Sequence, residues 1–270
     1  MTHTRHSHDI AALDATARHM ADAARAAILP YFRARDLTPD NKLDEGYDPV
    51  TEADRGAERA MRAILSKERP DDAILGEEYG ASAGSSGLTW VLDPIDGTRA
   101  FVSGTPTWGV LIAVSDAEGP FYGLIDQPYI GERFVGCAGK AELTSPAGVR
   151  SLSTRATSEL SEAIVFTTFP EVGTPQEGAA FRAVAEQAKL TRYGMDCYAY
   201  ALLAAGQIDL VIESGLQAYD IQAPIALIEA AGGVLTNWEG AAAHDGGRAL
   251  AAANAEIHAK ALAVLQDTLA

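Results

Sequence analysis

The chain predicts a mixed α/β protein of layered helices and sheets, and three observations carry that reading. Apolar residues recur at helical spacing over residues 9–34 and again over 52–68. From 73 to 145 the pattern changes to short β-like runs separated by Gly, Pro and Asp. Beyond about 146, strand-like and helix-like segments alternate. This divides the chain into two linked subdomains, an α+β unit over 1–145 and an α/β unit over 146–270. Periodicity by itself gives no more than mixed α/β with an antiparallel part.

Each element has its own signal. In the first helix Ile10, Leu13, Ala17, Met20, Ala24, Ile28 and Phe32 form one stripe, and Asp9 stands where an N-cap belongs. Residues 36–51 are polar and rich in turn formers, which reads as a loop or short hairpin. The second helix is organised around Ala57, Met61, Ile64 and Leu65. Strands are expected at 73–75, 90–92, 109–114, 121–126 and 133–137. In the second half, strands are expected at 163–168, 210–213 and 234–237, and helices at 175–189, 197–206, 220–231 and 255–269. There are no internal repeats, and the alanine-rich stretch at 241–253 is too short to be low complexity.

Of the 270 residues, 47% are hydrophobic, enough for a substantial core. The net charge of −16 argues against nucleic acid and anionic membranes as partners. It leaves room for a phosphate ester if bound Mg²⁺ inverts the local field, and it favours a substrate carrying a cationic group. No apolar run is long enough to span a membrane. The N-terminus lacks the apolar core of a secretory signal, so a cytoplasmic protein is expected. Cys137 and Cys197 are expected to stay as separate reduced thiols. Four of the six histidines fall within the first 19 residues, which reads as a polar terminus rather than a metal tract. Nothing suggests a histidine-based active site.

The most informative run is Trp-Val-Leu-Asp-Pro-Ile-Asp-Gly-Thr at 90–98. An apolar strand ends in Asp93 and Asp96, with Pro94 stiffening the turn and Gly97 allowing a sharp bend. Two carboxylates on a stiff turn suit a hard cation such as Mg²⁺, and the amides beyond could hold a phosphate. Asp-Pro and Asp-Gly are also ordinary turn signals, so the run alone leaves both readings open. Two further apolar runs end in carboxylates: Glu77 and Glu78 after 73–76, and Asp220 after 208–213. Glu77 could be a surface residue and Asp220 a helix N-cap. Together, the three sets could converge on one sheet edge, where α/β proteins place their sites.

The order Gly-Glu-Glu, then Asp-Pro-Ile-Asp-Gly-Thr, then Asp220 ahead of Ala230-Ala231-Gly232-Gly233 resembles the inositol monophosphatase superfamily of Mg²⁺-dependent, Li⁺-sensitive phosphatases. The resemblance runs from Asp48-Pro49-Val50-Thr51-Glu52-Ala53-Asp54 to Gly233. It implies the sugar-phosphatase fold of alternating layers, αβαβα. Thr98-Arg99-Ala100-Phe101 replaces the Thr-Asn-Phe of inositol-type enzymes. With Thr107-Trp108-Gly109 and Met195-Asp196-Cys197-Tyr198-Ala199-Tyr200, it is similar to the histidinol-phosphate phosphatase branch.

The resemblance implies a reaction and roles for named residues. The reaction is hydrolysis of L-histidinol phosphate in histidine biosynthesis, by in-line attack of a metal-activated water and without a covalent enzyme intermediate. Inositol-1-phosphatase or a broad sugar-phosphate phosphatase is the alternative. A non-catalytic metal-binding module would need a broken carboxylate set, and none is broken. Two or three Mg²⁺ ions are implied. Glu77, Asp93 and the Ile95 carbonyl would hold the first, and Asp93, Asp96 and Asp220 the second. Thr98 and Asp54 would orient and deprotonate the water, with Glu77 assisting. Gly97 and Thr98 amides would hold the phosphate. Glu213 and Asp196 would meet the organic part of the substrate. Arg99 would reach the phosphate or orient those carboxylates, or else be a surface residue. Asp54 could equally be an acidic residue in a helix's first turn. Lys42 matches a loop lysine near the metals, in a loop that could close over them. Trp108 reads as core. A homodimer is expected.

Overall fold

The structure is a computed structural model describing residues 8–35, 39–41, 49–169 and 171–270. The first helix, α1 (Ile10–Ile28), begins at Asp9, whose side chain accepts from the Ala12 amide. A two-stranded ribbon follows, β1 (Asp40–Asn41) paired antiparallel with β2 (Pro49–Val50). Residues 42–48 of the expected loop or hairpin lie outside the described residues, Lys42 among them. Helix α2 (Glu52–Glu68) starts with a capping box, in which Thr51 and Asp54 satisfy each other's ends of the first turn.

One mixed sheet takes the next eight strands. They are β3 (Ala73–Gly76), β4 (Gly80–Ser82), β5 (Thr89–Asp96), β6 (Gly109–Asp116), β7 (Gly119–Gln127), β8 (Glu132–Cys137), β9 (Lys140–Ser145) and β10 (Gly148–Ser151), in the order β10-β9-β8-β7-β6-β5-β3-β4. Only β3 and β5 run parallel; the other neighbours are antiparallel. A six-residue helix, α3 (Thr98–Ser103), follows β5 directly.

The second sheet has the order β12-β11-β13-β15-β14. Its strands are β11 (Ile164–Thr167), β12 (Leu190–Tyr193), β13 (Leu210–Gln217), β14 (Val234–Thr236) and β15 (Gly246–Ala252). Helices α4 (Pro175–Ala185), α5 (Asp196–Ala204), α6 (Ala218–Ala230) and α7 (Ala255–Leu269) are interleaved with them.

Side-chain alternation along the strands sorts these elements into five layers. On β5 and β6, Trp90, Leu92, Val110, Ile112 and Val114 pack with α1 and α2, whereas Val91, Leu111 and Ala113 pack with α5 and α6. On β13 and β15, Val211, Ala249 and Ala251 meet α5 and α6 from the other side. Leu210, Ile212, Leu250 and Ala252 face outward against α4 and α7. Helices α5 and α6 therefore form a central layer between two sheets, and the order is αβαβα as expected.

Helix α6 lies close on the first sheet because β7 carries Gly123. A Cβ there would stand 2.2 Å from the Ala223 carbonyl oxygen. Asp126, wholly buried on the same strand, pairs with Arg25 of α1 (3.0 Å) and Arg133 of β8 (2.8 Å). The two cysteines form no disulfide and are buried, Cys137 on the α1–α2 side of the sheet and Cys197 in the central layer.

The structure departs from the expected elements at several points. Helix α6 starts two residues before Asp220, with Gln217 as its N-cap and Asp220 at its third position, so Asp220 is not the cap. Strand β13 runs on to Gln217 through an irregularity between Glu213 and Leu216. The alanine-rich stretch contains β15. The polar-terminus reading also fails at His8, whose ring stacks on Phe121 at 4.9 Å and whose Nε2 lies 3.5 Å from Asp116.

Candidate active site

Three strand ends meet in one cavity of about 370 Å³. The first is the end of β3. Glu77 follows it, its amide donating to the Leu92 carbonyl at 3.1 Å, one residue before Asp93. The turn beyond is held by Glu58, a buried residue of α2 whose carboxylate accepts from the Glu78 amide at 2.7 Å and pairs with Arg62 at 2.7 Å.

The second is the end of β5. Its pairing with β6 shifts register between Asp93 and Asp96. Pro94 falls inside that bulge, where its missing N–H costs no ladder bond. The bulge aims both carboxylates into the cavity. Asp93 is held by the Ile95 amide (3.0 Å) and Asp96 by the Cys197 amide (2.6 Å). Gly97 then turns with φ +82°, a left-handed conformation, and a Cβ there would come within 2.7 Å of the Asp196 carboxyl carbon. Both facts require glycine.

The third is the end of β13 and the start of α6, where Asp220 accepts from the Gln217 amide at 2.7 Å. One oxygen each from Asp93, Asp96 and Asp220 lies within 4.8 Å of the others. Glu77 lines the same cavity. Burial, and then repulsion among these carboxylates, raises the Asp93 carboxyl well above the usual range; Asp96 is raised likewise. Like charges at this density are stabilised by a hard cation with oxygen ligands, so the donor set fits a divalent metal.

Asp54 stands beside this cluster. Its Oδ2 accepts from the Thr51 amide (2.8 Å) and hydroxyl (2.6 Å), while its Oδ1 lies 3.4 Å from the Thr98 hydroxyl. That hydroxyl is also 3.1 Å from the Ile95 carbonyl. Burial, together with Glu77 and Glu78, pushes Asp54 up to about 6 despite its hydrogen bonds. It is both the first-turn acid of α2 and a member of the site.

Across the cavity, the Glu213 carboxylate accepts from the Thr168 amide (2.7 Å), the Thr168 hydroxyl (2.9 Å) and the Thr167 hydroxyl (3.2 Å). Burial pushes it up to about 7. Asp196, in the left-handed region at φ 47°, accepts from the Thr107 hydroxyl at 2.7 Å. Burial raises its carboxyl, and Thr107 and Arg99 oppose the rise. The Arg99 guanidinium lies 5.1 Å from the Phe169 ring centroid, at the mouth of the cavity. Trp108 is fully buried among Phe32 and Phe101 and is core.

The structure thus gathers Glu77, Asp93, Ile95, Asp96, Gly97, Thr98, Arg99, Asp196, Glu213 and Asp220 around one cavity, with Asp54 behind Thr98. Sequence reasoning missed Thr51, Thr107, Thr168, Phe169 and Tyr200. Thr51 had a signal in the Thr-x-x-Asp spacing of a helix start. Thr107 and Tyr200 stand in the motifs that carry the branch resemblance but had no role there; Thr168 and Phe169 had no signal, since nothing local ties a threonine or an aromatic to a distant carboxylate.

Residues 9–270 match the model of the inositol monophosphatase family. The bifunctional phosphatase IMPL2 of Arabidopsis thaliana, a chloroplastic protein, is 40% identical over 92% of this chain and 73% of its own length. The histidinol-phosphatase of Mycobacterium tuberculosis is 34% identical over 90% of this chain and 94% of its own. Among solved structures, an inositol monophosphatase from Zymomonas mobilis superposes with a TM-score of 0.84 at 37% identity, covering 97% of this chain and all of that one. With a matching family model, a matching fold and an intact set of acidic residues at the meeting of three strand ends, the chain belongs to the inositol monophosphatase family and is a phosphatase.

Proposed function

We propose that the chain is a Mg²⁺-dependent histidinol-phosphatase. The observation that carries the reading is the gathering in one cavity of Asp93, Asp96 and Asp220 with two further buried carboxylates, Asp196 and Glu213. Glu77, Asp93, the Ile95 carbonyl, Asp96 and Asp220 would hold the metals. Bound Mg²⁺ supplies Lewis-acid stabilisation of the phosphoryl and leaving oxygens and lowers the pKa of water.

The remaining steps belong to the chain's own groups. Thr98 and Asp54 orient the attacking water, and Asp54, held beside the Thr98 hydroxyl by its hydrogen bonds from Thr51, takes its proton. The backbone amides of Gly97 and Thr98 hold the phosphate. Glu213 and Asp196 pair with the ammonium of the substrate through charge-assisted hydrogen bonds, for which neutral inositol hydroxyls are weaker partners. Arg99, between Phe169 and Asp196, orders that wall of the pocket. Histidinol-phosphatases at 34% and 36% identity over nine-tenths of the chain support this substrate. Inositol-1-monophosphatases at 31% and 34% identity keep inositol phosphate as the second reading. We further propose a homodimer and inhibition by Li⁺.

The test is phosphate release from L-histidinol phosphate and myo-inositol 1-phosphate in parallel, with Mg²⁺ and with EDTA. A kcat/KM about a hundredfold higher for L-histidinol phosphate, roughly 2.7 kcal/mol, is expected, with loss of both activities in EDTA. Equal rates would remove Asp196 and Glu213 from the specificity argument. Asp93→Asn should abolish turnover with the fold retained, and near-normal turnover would refute the metal assignment.

A further inference from the structure

We infer that Thr107 is a positioning residue for substrate choice: from behind the cavity wall, its hydroxyl holds the Asp196 carboxylate where the organic half of the phosphate ester meets it. The inference rests on the reading of Asp196 given above. Asp196 lines the cavity. The Thr107 hydroxyl donates to its Oδ2 at 2.7 Å, while Thr107 itself is 7% exposed and stands outside the cavity lining.

The backbone on both sides of Thr107 is fixed. Gln127, wholly buried on β7, donates from its Nε2 to the Pro106 carbonyl (3.3 Å) and to the Trp108 carbonyl (3.0 Å). The Trp108 side chain is locked in the core. The hydroxyl is therefore presented from a rigid platform. Its partner needs such a hold. Asp196 has φ 47°, a left-handed conformation that persists in a non-glycine residue only where neighbours enforce it. Gly97 leaves the space that the carboxyl fills, since a Cβ there would stand 2.7 Å from the carboxyl carbon and 3.1 Å from Oδ1. The next amide, that of Cys197, is tied to Asp96 at 2.6 Å. Oδ2 is thus committed to Thr107, and Oδ1 lies beside the turn whose amides are assigned to the phosphate. L-Histidinol phosphate carries its ammonium on the carbon next to the ester methylene, within reach of a carboxylate at that spot. A charge-assisted hydrogen bond rewards this match only while the carboxylate keeps its direction. A hydroxyl that fixes the direction therefore sets discrimination without touching the ligand.

The experiment compares the parent with T107V, T107S, D196N and the T107V/D196N double variant in steady-state kinetics with Mg²⁺. The esters are L-histidinol phosphate and p-nitrophenyl phosphate, whose organic half has no cationic group. The readout is the ratio of the two kcat/KM values, which a smaller fraction of folded protein leaves untouched. Valine keeps the shape of threonine and removes the hydroxyl. T107V should lower the ratio by about tenfold or more, through KM for L-histidinol phosphate rather than kcat. T107S should keep the ratio within about threefold of the parent, and T107V should add nothing in the D196N background. A parent-like ratio in T107V, a T107S as low as T107V, or a further fall in the double variant would overturn the inference. D196N tells which claim has failed. A parent-like ratio in D196N rejects the reading of Asp196 and the role of Thr107 with it. A lowered ratio in D196N beside a parent-like T107V rejects Thr107 alone. If the parent cleaves p-nitrophenyl phosphate but not L-histidinol phosphate, the substrate reading fails by itself. The same proteins are then compared on myo-inositol 1-phosphate, where an unchanged ratio in T107V rejects the role of Thr107 separately. A parent that cleaves none of the three rejects both.

Discussion

Glu213 shows how one side chain serves both fold and site. Three hydrogen bonds from Thr167 and Thr168 hold its carboxyl at the junction of β11 and β13, yet burial still pushes it up to about 7 from 4.5. The folded state therefore keeps a proton that the unfolded chain has released between those two values. Its contribution to stability is fully present below about pH 4.5 and is lost as pH rises through 7. In metal-free protein, Glu213→Gln should remove this dependence. The stability difference between parent and variant should change by on the order of 3 kcal/mol between pH 4.5 and 7.5. Parallel unfolding curves across that range would show that the carboxyl is not buried in solution. Legibility at this scale was uneven. Asp93 and Asp96 announce themselves through the glycine and proline around them. Asp54 looks like an ordinary first-turn acid, which it also is, and only resemblance gave it a further role. Tyr200 was quoted in a motif without any role of its own.

At the scale of elements, the site depends on where α6 sits, because that helix carries Asp220 against the strand that carries Asp93. Gly123 sets the spacing. The nearest obstacle to a side chain there is backbone, which cannot rotate away. Gly123→Ala should therefore cost about 3 kcal/mol or more through overpacking and should lower turnover as α6 is displaced. Chemical denaturation and phosphate release check this together, and a parent-like midpoint would mean that the two elements are not in contact. Most elements were legible because their faces differ. Helix α7 was placed over the same residues that it occupies, its stripe being sharp and Asn254 capping its start. Strand β15 was missed because alanine favours helix and is depleted in strands, so its run carried no strand signal, and here the pairing with β13 and β14 decides. The early start of α6 was missed because Gln217 is an uncommon cap; it works because Asp220 reaches back to its amide.

The whole molecule is a stack in which the central helices belong to both sheets at once. Alternation of side chains could show that each strand has two buried faces, but it could not say which helices cover them. The order of layers came from resemblance, and the packing of Val91 and Val211 on opposite sides of α5 and α6 bears it out. The acidic balance of −16 is consistent with a pocket walled by carboxylates, although most of that charge lies outside it. The two buried thiols turn this stack into a measuring device. Cys137 lies outside the central layer and Cys197 within it, separated by the sheet between. Cys137 lines an outer cavity beside α1 and is 8% exposed, whereas Cys197 is 2% exposed and borders the acidic cavity, so a thiol reagent meets Cys137 more readily. Comparing their labelling rates in native protein, by mass spectrometry of peptides, should therefore give Cys137 first and Cys197 later, with a ligand in the acidic cavity slowing Cys197 alone. Simultaneous labelling would mean that the sheet between them gives the two thiols no difference in shelter.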